Sequence, residues 1–166
     1  MFLLKKLLAI VLVLCFASVI FAADVDWNIT DPDIRTNGNI PLAVSVLRAG
    51  TFEKESAEKP EAFLVIKTPW NYYGKLLTFT GIVGVVDDYP PGSDVSRILQ
   101  CEDSSEIVIT ADDGETIVDM FLRSSSGRIR IGDTVTLYGL VVGRMEVENR
   151  IGGTFTHLMM VGNFID

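Results

Sequence analysis

Gly132-Asp133-Thr134-Val135-Thr136-Leu137-Tyr138-Gly139 decides the fold of this 166-residue chain. A Gly-Asp turn leads into a strand in which apolar and polar residues alternate, and a glycine interrupts the strand at its far end. The stretch Gly74-Lys75-Leu76-Leu77-Thr78-Phe79-Thr80-Gly81 has the same form. Because a glycine inside a strand usually marks a bulge or a tight bend, the two stretches predict an all-β domain built on a small, strongly curved barrel.

A hairpin is predicted between these two strands, since Asp112-Asp113-Gly114 is a turn sequence flanked by alternating residues on both sides. A polar loop over residues 143–153 and a last apolar strand follow the stretch that begins at Gly132. The predicted strands are residues 75–86, 106–111, 116–122, 133–142 and 154–165.

One short helix is predicted before the barrel. Pro60 suits the first turn of a helix over residues 61–68, and Pro69 ends it. Residues 40–48 are apolar and fit a strand or a short helix, and their valines favour the strand. Residues 95–101 are interpreted as an extra strand or as the second strand.

Residues 1–23 are predicted to be a secretory signal peptide. Lys5 and Lys6 precede an apolar run, and Ala22-Ala23 supplies the small residues of a cleavage site. The run is short for a membrane span, which needs about 20 apolar residues, and an uncleaved anchor is the alternative. Cleavage would leave a polar, extended leader (residues 24–59) and a barrel domain (residues 60–166).

The charge of the mature chain argues against a nucleic-acid partner. The 14 basic residues include Lys5 and Lys6, so cleavage leaves 12 against 22 acidic residues, a net charge of about −10. Such a domain repels phosphate backbones. Cys101 is the only cysteine after cleavage and His157 is the only histidine, so we expect neither a metal site nor a cofactor.

Two motifs resemble those of a known family. Tyr72-Tyr73-Gly74-Lys75 opens the first strand, and the stretch from Arg128 to Gly139 opens the fourth. With Gly152-Gly153 before the last strand, they resemble the small exported OB-fold domains of bacteria that are grouped as tRNA-anticodon-binding-like. The resemblance covers residues 60–166 and implies a five-stranded OB-like barrel that is secreted or held in the cell envelope.

The resemblance implies a ligand site on the second and third strands, between the loops at residues 87–104 and 143–153. Asp119 and Phe121 alternate with core residues there, so Phe121 is either a stacking platform or packed under the helical prefix. Arg97, Arg144 and Arg150 either clamp an anion or form surface pairs with nearby glutamates.

Four functions are compatible with these residues: binding a small molecule, docking to an envelope protein, binding nucleic acid, and calcium-dependent nuclease activity. We favour a non-enzymatic binding module of the cell envelope, and the ligand is either a small molecule or an envelope protein. A small-molecule site predicts a concave pocket between the loops, whereas protein docking predicts an exposed apolar patch. The alternatives are a nucleic-acid-binding OB domain and a calcium-dependent secreted nuclease, for which Arg97, Asp103 and Glu106 faintly match the motif.

Overall fold

The computed structural model describes residues 25–149 and 152–166. The strands are β1 (Leu76–Tyr89), β2 (Ser104–Ala111), β3 (Ile117–Leu122), β4 (Thr134–Glu148) and β5 (Thr154–Ile165). The helices are α1 (Asn39–Ala49), α2 (Ala62–Lys67) and α3 (Asp94–Leu99), with 3-10 turns at Lys54–Ser56 and Pro69–Asn71. The predicted signal peptide lies outside the described residues. Within those residues, no helix combines the length and the apolar character that a membrane crossing requires.

The five strands close into a barrel in the order β1-β2-β3-β5-β4. All neighbouring pairs are antiparallel except β3 and β5, which run parallel. The long strand β1 closes the barrel because its first half pairs with β4 and its second half pairs with β2. This topology is that of the OB fold, and it confirms the predicted fold class.

Gly81 is the point at which β1 passes from one neighbour to the other. It pairs with Ala111 on one side and with Val135 on the other. A Cβ atom at this position would lie 2.8 Å from the carbonyl carbon of Thr110 and 2.9 Å from the Cα of Ala111. Only glycine permits this approach of two backbones, which is the bend that the sequence predicts.

The barrel interior is filled by the inward-facing residues of all five strands. Period-two alternation sends every second side chain inward, and these side chains are fully buried at, for example, Leu77, Ile107, Val118, Leu137 and Met160. Ala62 and Val65 of α2 join this core. The predicted helix before the barrel and the predicted hairpin are therefore both confirmed.

The segment that we predicted as an extended leader packs on the barrel. Residues 40–48, for which the sequence favours a strand, belong to helix α1, so that prediction is wrong. Burial at Asn39, Ala43, Val46 and Leu47 follows helical spacing, and one covered face outweighs the weak strand preference of valine.

Backbone hydrogen bonds hold the same segment to the barrel strands on both sides of α1. Before the helix, Arg144 N donates to Pro32 O over 2.8 Å and Ile34 N donates to Arg144 O over 3.2 Å. After it, Glu58 N donates to Leu76 O over 2.9 Å. The segment thereby covers parts of β4 and β1 that have no neighbouring strand.

Two further predictions are wrong. The extra strand over residues 95–101 is helix α3, in which the Ser93 hydroxyl caps the helix by accepting from Ser96 N over 3.1 Å. The polar loop over residues 143–153 is mostly strand, because β4 passes through a bulge between Val141 and Gly143 and continues to Glu148. Beyond Glu148, Asn149 N donates to Gly153 O over 2.8 Å and Gly152 N donates to Asn149 O over 3.2 Å.

Candidate binding face

The outward side chains of β1, β2, β3 and β5 form three rows that the strand register fixes. The first row is Ile82, Thr110, Ile117 and His157, the second is Val85, Val108, Asp119 and Met159, and the third is Asp87, Glu106, Phe121 and Val161. The β1–β2 loop follows the third row, and the β4–β5 turn lies beyond the first. These rows are therefore the surface on which OB folds bind ligands.

A second hydrophobic core covers the β5 side of these rows. Helix α1 packs there on Leu140, Val142, Met159 and Val161, and Leu99 of α3 joins them. The amide side chains of Asn37 and Asn39 both donate to Val142 O, over 2.9 and 3.2 Å. Half of the usual OB binding surface is therefore occupied by the chain itself.

The β1 side of the rows stays uncovered, and we call it the open face. Its apolar part is Ile82 and Val85, which are 57% and 42% exposed. The polar part consists of Asp87 and Tyr89 on β1, Glu106 and Thr110 on β2, and Asp119 on β3.

Two pairs of polar side chains lie along these rows. The Tyr89 hydroxyl donates to the Glu106 carboxylate, and His157 Nδ1 lies 3.2 Å from Asp119 Oδ2. Asp119 is only 2% exposed, and its Oδ1 atom has no hydrogen-bond partner among the described residues.

Crowded carboxylates dominate the electrostatics of the open face. Burial raises the pKa of Glu106, and the negative charges of Asp119 and Asp87 raise it further, whereas the hydrogen bond from Tyr89 lowers it. Burial and the hydrogen bond to Glu106 raise the pKa of Tyr89. The face therefore holds negative charge that is costly to keep without a compensating proton or cation.

The structure separates most of the residues that the sequence nominated. Arg97 lies in α3, where it pairs with Asp94 over 3.1 Å. Arg144 lies in β4 and donates to Ile66 O of α2 over 3.4 Å. Their contacts are with different elements, so the structure does not bring these two arginines to one anion clamp. Arg150 lies outside the described residues.

Phe121 lines a cleft and does not form an open platform. The cleft has a volume of about 290 Å³, and α1, α3 and the segment before α1 enclose it, with Ile40, Val95 and Ile98 among its lining residues. Phe121 packs on the second core under α1 and α3, so it is covered as expected, but not by the predicted helix before the barrel, which is α2 and joins the other core. Asp119 lies on the outer face as predicted, but it is buried.

The sequence analysis did not place Tyr89, Glu106 or His157 beside Asp119. Tyr89 and Glu106 lie 17 positions apart, and His157 lies 38 positions from Asp119. The alternation of side chains along each strand, which places these residues on the outward side, is the signal that could have found them. In the described part of the chain, no cluster of three or more histidine, cysteine or acidic residues is arranged to hold a metal ion.

The comparisons with known proteins assign the chain to no family. No protein-family model and no curated protein matches the chain. Among solved structures, a small single-stranded DNA-binding protein from Streptomyces coelicolor is 13% identical, with a TM-score of 0.38, over 55% of this chain and 91% of that one. The aspartyl tRNA synthetase from Entamoeba histolytica is 10% identical, with a TM-score of 0.40, over 68% of this chain and 21% of that one. The N-terminal domain of an archaeal MCM is 14% identical, with a TM-score of 0.39, over 68% of this chain and 62% of that one.

Proposed function

We propose that this chain is an exported, non-enzymatic interaction module of the bacterial cell envelope that binds a protein through its open face. The observation that carries the proposal is the exposure of Ile82 and Val85 beside Asp87 on one face of a closed barrel. Exposed apolar side chains with a polar rim are typical of protein-docking surfaces.

The form of the surface favours a protein over a small molecule. The β1–β2 loop carries α3, which packs down into the second core through Leu99. The space left there is the apolar cleft beside Phe121. The open face itself carries the exposed apolar side chains of Ile82 and Val85. An exposed apolar patch is what the protein-docking hypothesis predicts, and it supports a protein ligand.

Export and the finer family assignment are part of the same proposal. They are supported by the form of residues 1–23 and by the resemblance to exported tRNA-anticodon-binding-like domains. The acidic composition of the chain favours a protein partner over a nucleic acid, because an acidic domain repels a phosphate backbone.

Single-stranded nucleic acid is the second candidate, because OB folds bind oligonucleotides on this same surface. Stacking platforms for single strands come with a positively charged groove. The open face instead presents Asp87, Glu106 and Asp119, which disfavour a phosphate backbone.

Site-specific photo-crosslinking in living cells tests the proposal. A benzophenone amino acid replaces Val85 on the open face or, as the matched control, Ile131, which is 69% exposed on the link between β3 and β4. We expect a protein adduct of one defined mass from position 85 and none from position 131. Equal labelling at both positions, or tight binding of purified protein to a single-stranded oligonucleotide, would contradict the proposal.

A further inference from the structure

The open face carries three carboxylates that pair with no lysine or arginine among the described residues. Asp87 and Glu106 are cross-strand partners, and Asp119 pairs with Val108, one step further along the sheet. Across residues 25–149 and 152–166, no ion pair joins any of the three to a lysine or an arginine.

Asp119 is an independent sign that a donor belongs at this place. Its Oδ2 atom faces His157, while its buried Oδ1 atom has no donor. A buried carboxylate oxygen is normally hydrogen-bonded. Burial and the charge of Asp119 raise the pKa of Glu106, so a positively charged donor beside the two carboxyl groups would stabilise them.

We propose that the open face binds an alkylammonium group, namely a lysine side chain of the partner protein, whose N–H groups donate to the carboxylates of Glu106 and Asp119. This inference rests on the proposed docking function and names the chemistry of the docked group. The acceptors are the carboxylates of Asp87, Glu106 and Asp119 together with the Tyr89 hydroxyl.

The acceptor set favours an ammonium over other cations. An ammonium group is compact and has three donors, which suits acceptors that lie on three strands. Its hydrogen bonds to carboxylates are charge-assisted and therefore strong. Ile82 and Val85 are exposed in the neighbouring rows, where they can contact the aliphatic stem of a lysine.

Binding is coupled to a proton. An ammonium group favours the ionised form of Glu106, whose pKa is raised, so affinity rises as the pH rises through that pKa. The groups that face Glu106 are Asp87 and Tyr89 from β1 and Asp119 from β3, with His157 from β5 behind Asp119.

A peptide titration followed by amide NMR tests the proposal on protein recovered after export of the full chain. The probe is acetyl-Gly-Val-Lys-Val-Gly-amide, and its control is the same peptide with the lysine Nε-acetylated. We expect the lysine peptide to shift the amide signals of residues 85, 106 and 119, and the acetylated peptide to leave them in place. Calorimetry in buffers of different ionisation enthalpy should show proton release.

Two variants separate this site from general attraction to an acidic protein. Glu106→Gln imitates the neutral glutamic acid, and Asp87→Asn lies on the exposed rim, so at least the second keeps its fold. Each should weaken the lysine peptide about tenfold, the effect of one hydrogen bond to a charged group, while Glu55→Gln in an exposed turn should change it less than twofold.

Four results would overturn the inference: equal binding by the Glu106→Gln and Asp87→Asn variants, equal binding of the acetylated peptide, stronger binding of spermidine than of the peptide, or calcium shifts at the same signals. If position 85 still crosslinks to a protein in cells, the docking function survives and only the lysine assignment fails. If that crosslink is also missing, both fail.

Discussion

Replacing Gly81 by alanine tests the reasoning on barrel closure most directly. The added Cβ would meet the backbone of β2, at 2.8 Å from the carbonyl carbon of Thr110 and 2.9 Å from the Cα of Ala111. Backbone atoms cannot rotate away as the end of a side chain can, so β1 and β2 must separate at the bend. Inserting a methyl group into packed structure costs about 1–3 kcal/mol, and we expect the upper end of this range.

Gly84 provides a matched control in the same strand. An alanine Cβ there would have its nearest neighbour, Val108 O, at 3.9 Å, and the residue does not have a positive φ. Gly84→Ala should therefore be neutral or stabilising by up to about 1 kcal/mol, because alanine restricts the unfolded chain.

Urea denaturation of both variants measures the two free energies of unfolding. We expect Gly81→Ala to lose about 3 kcal/mol, which corresponds to a fall in Tm of about 10 °C for a domain of this size. If Gly81→Ala and Gly84→Ala have equal midpoints, the two strands can separate without cost, and the argument that glycine sets the bend is refuted.

Three other predictions concern charge, the N-terminal segment and export. The pKa of Glu106 is raised in the folded state. Its stabilising contribution is therefore complete below the unfolded pKa of about 4.3 and is lost as pH rises through the folded pKa. The Glu106→Gln variant should gain stability relative to wild type between pH 4 and pH 8, and urea midpoints of the two proteins that run parallel with pH would contradict this. Asn39→Ala removes donors to Val142 O and Asn28 O and an acceptor for Asn28 N, and should cost about 1–3 kcal/mol in thermal or urea unfolding, whereas Ser45→Ala on the exposed side of α1 should cost under about 0.5 kcal/mol. The full chain expressed in bacteria should reach the envelope without residues 1–22 or 1–23, and an intact mass of the whole chain would instead indicate a retained anchor.

The barrel could be predicted from sequence because its signals are local. Gly81 and Gly139 interrupt strands of period two, and a Cβ at Gly139 would lie 2.7 Å from Val161 O, so the glycine pattern reflects real backbone contacts. The turn at Asp112-Asp113-Gly114 carries its own hydrogen bonds, since Asp113 Oδ1 accepts from Thr116 N over 2.8 Å. These features need no knowledge of distant residues.

Helices α1 and α3 were missed for a different reason. Residues 40–48 contain valines that fit a strand, and only the apolar outer surface of β4 and β5 selects the helix. Helix α3 has a local signal that was overlooked, because Ser93-Asp94 is a typical N-cap followed by an acidic first turn.

The candidate site was predictable only in part. Alternation places Asp119 on the outer face of β3, but its burial depends on Glu106, Tyr89 and His157, which come from three other strands. Register between strands is not readable from one sequence, and a slip of one residue would send every one of these side chains inward.

The contacts of the N-terminal segment determine when this part of the protein can fold. Asn37, at the start of α1, is bonded to Val142 O, 105 residues later in the chain, and Pro32 is bonded to Arg144 N. Contacts of such separation form late, because a long loop must close before they can be made. Under the proposed export, the part of the mature chain that crosses first has no docking place until β4 has followed it. If the chain is exported as proposed, it would stay unfolded enough to pass a translocation channel until β4 has crossed, and the second core would form only at the end of transport.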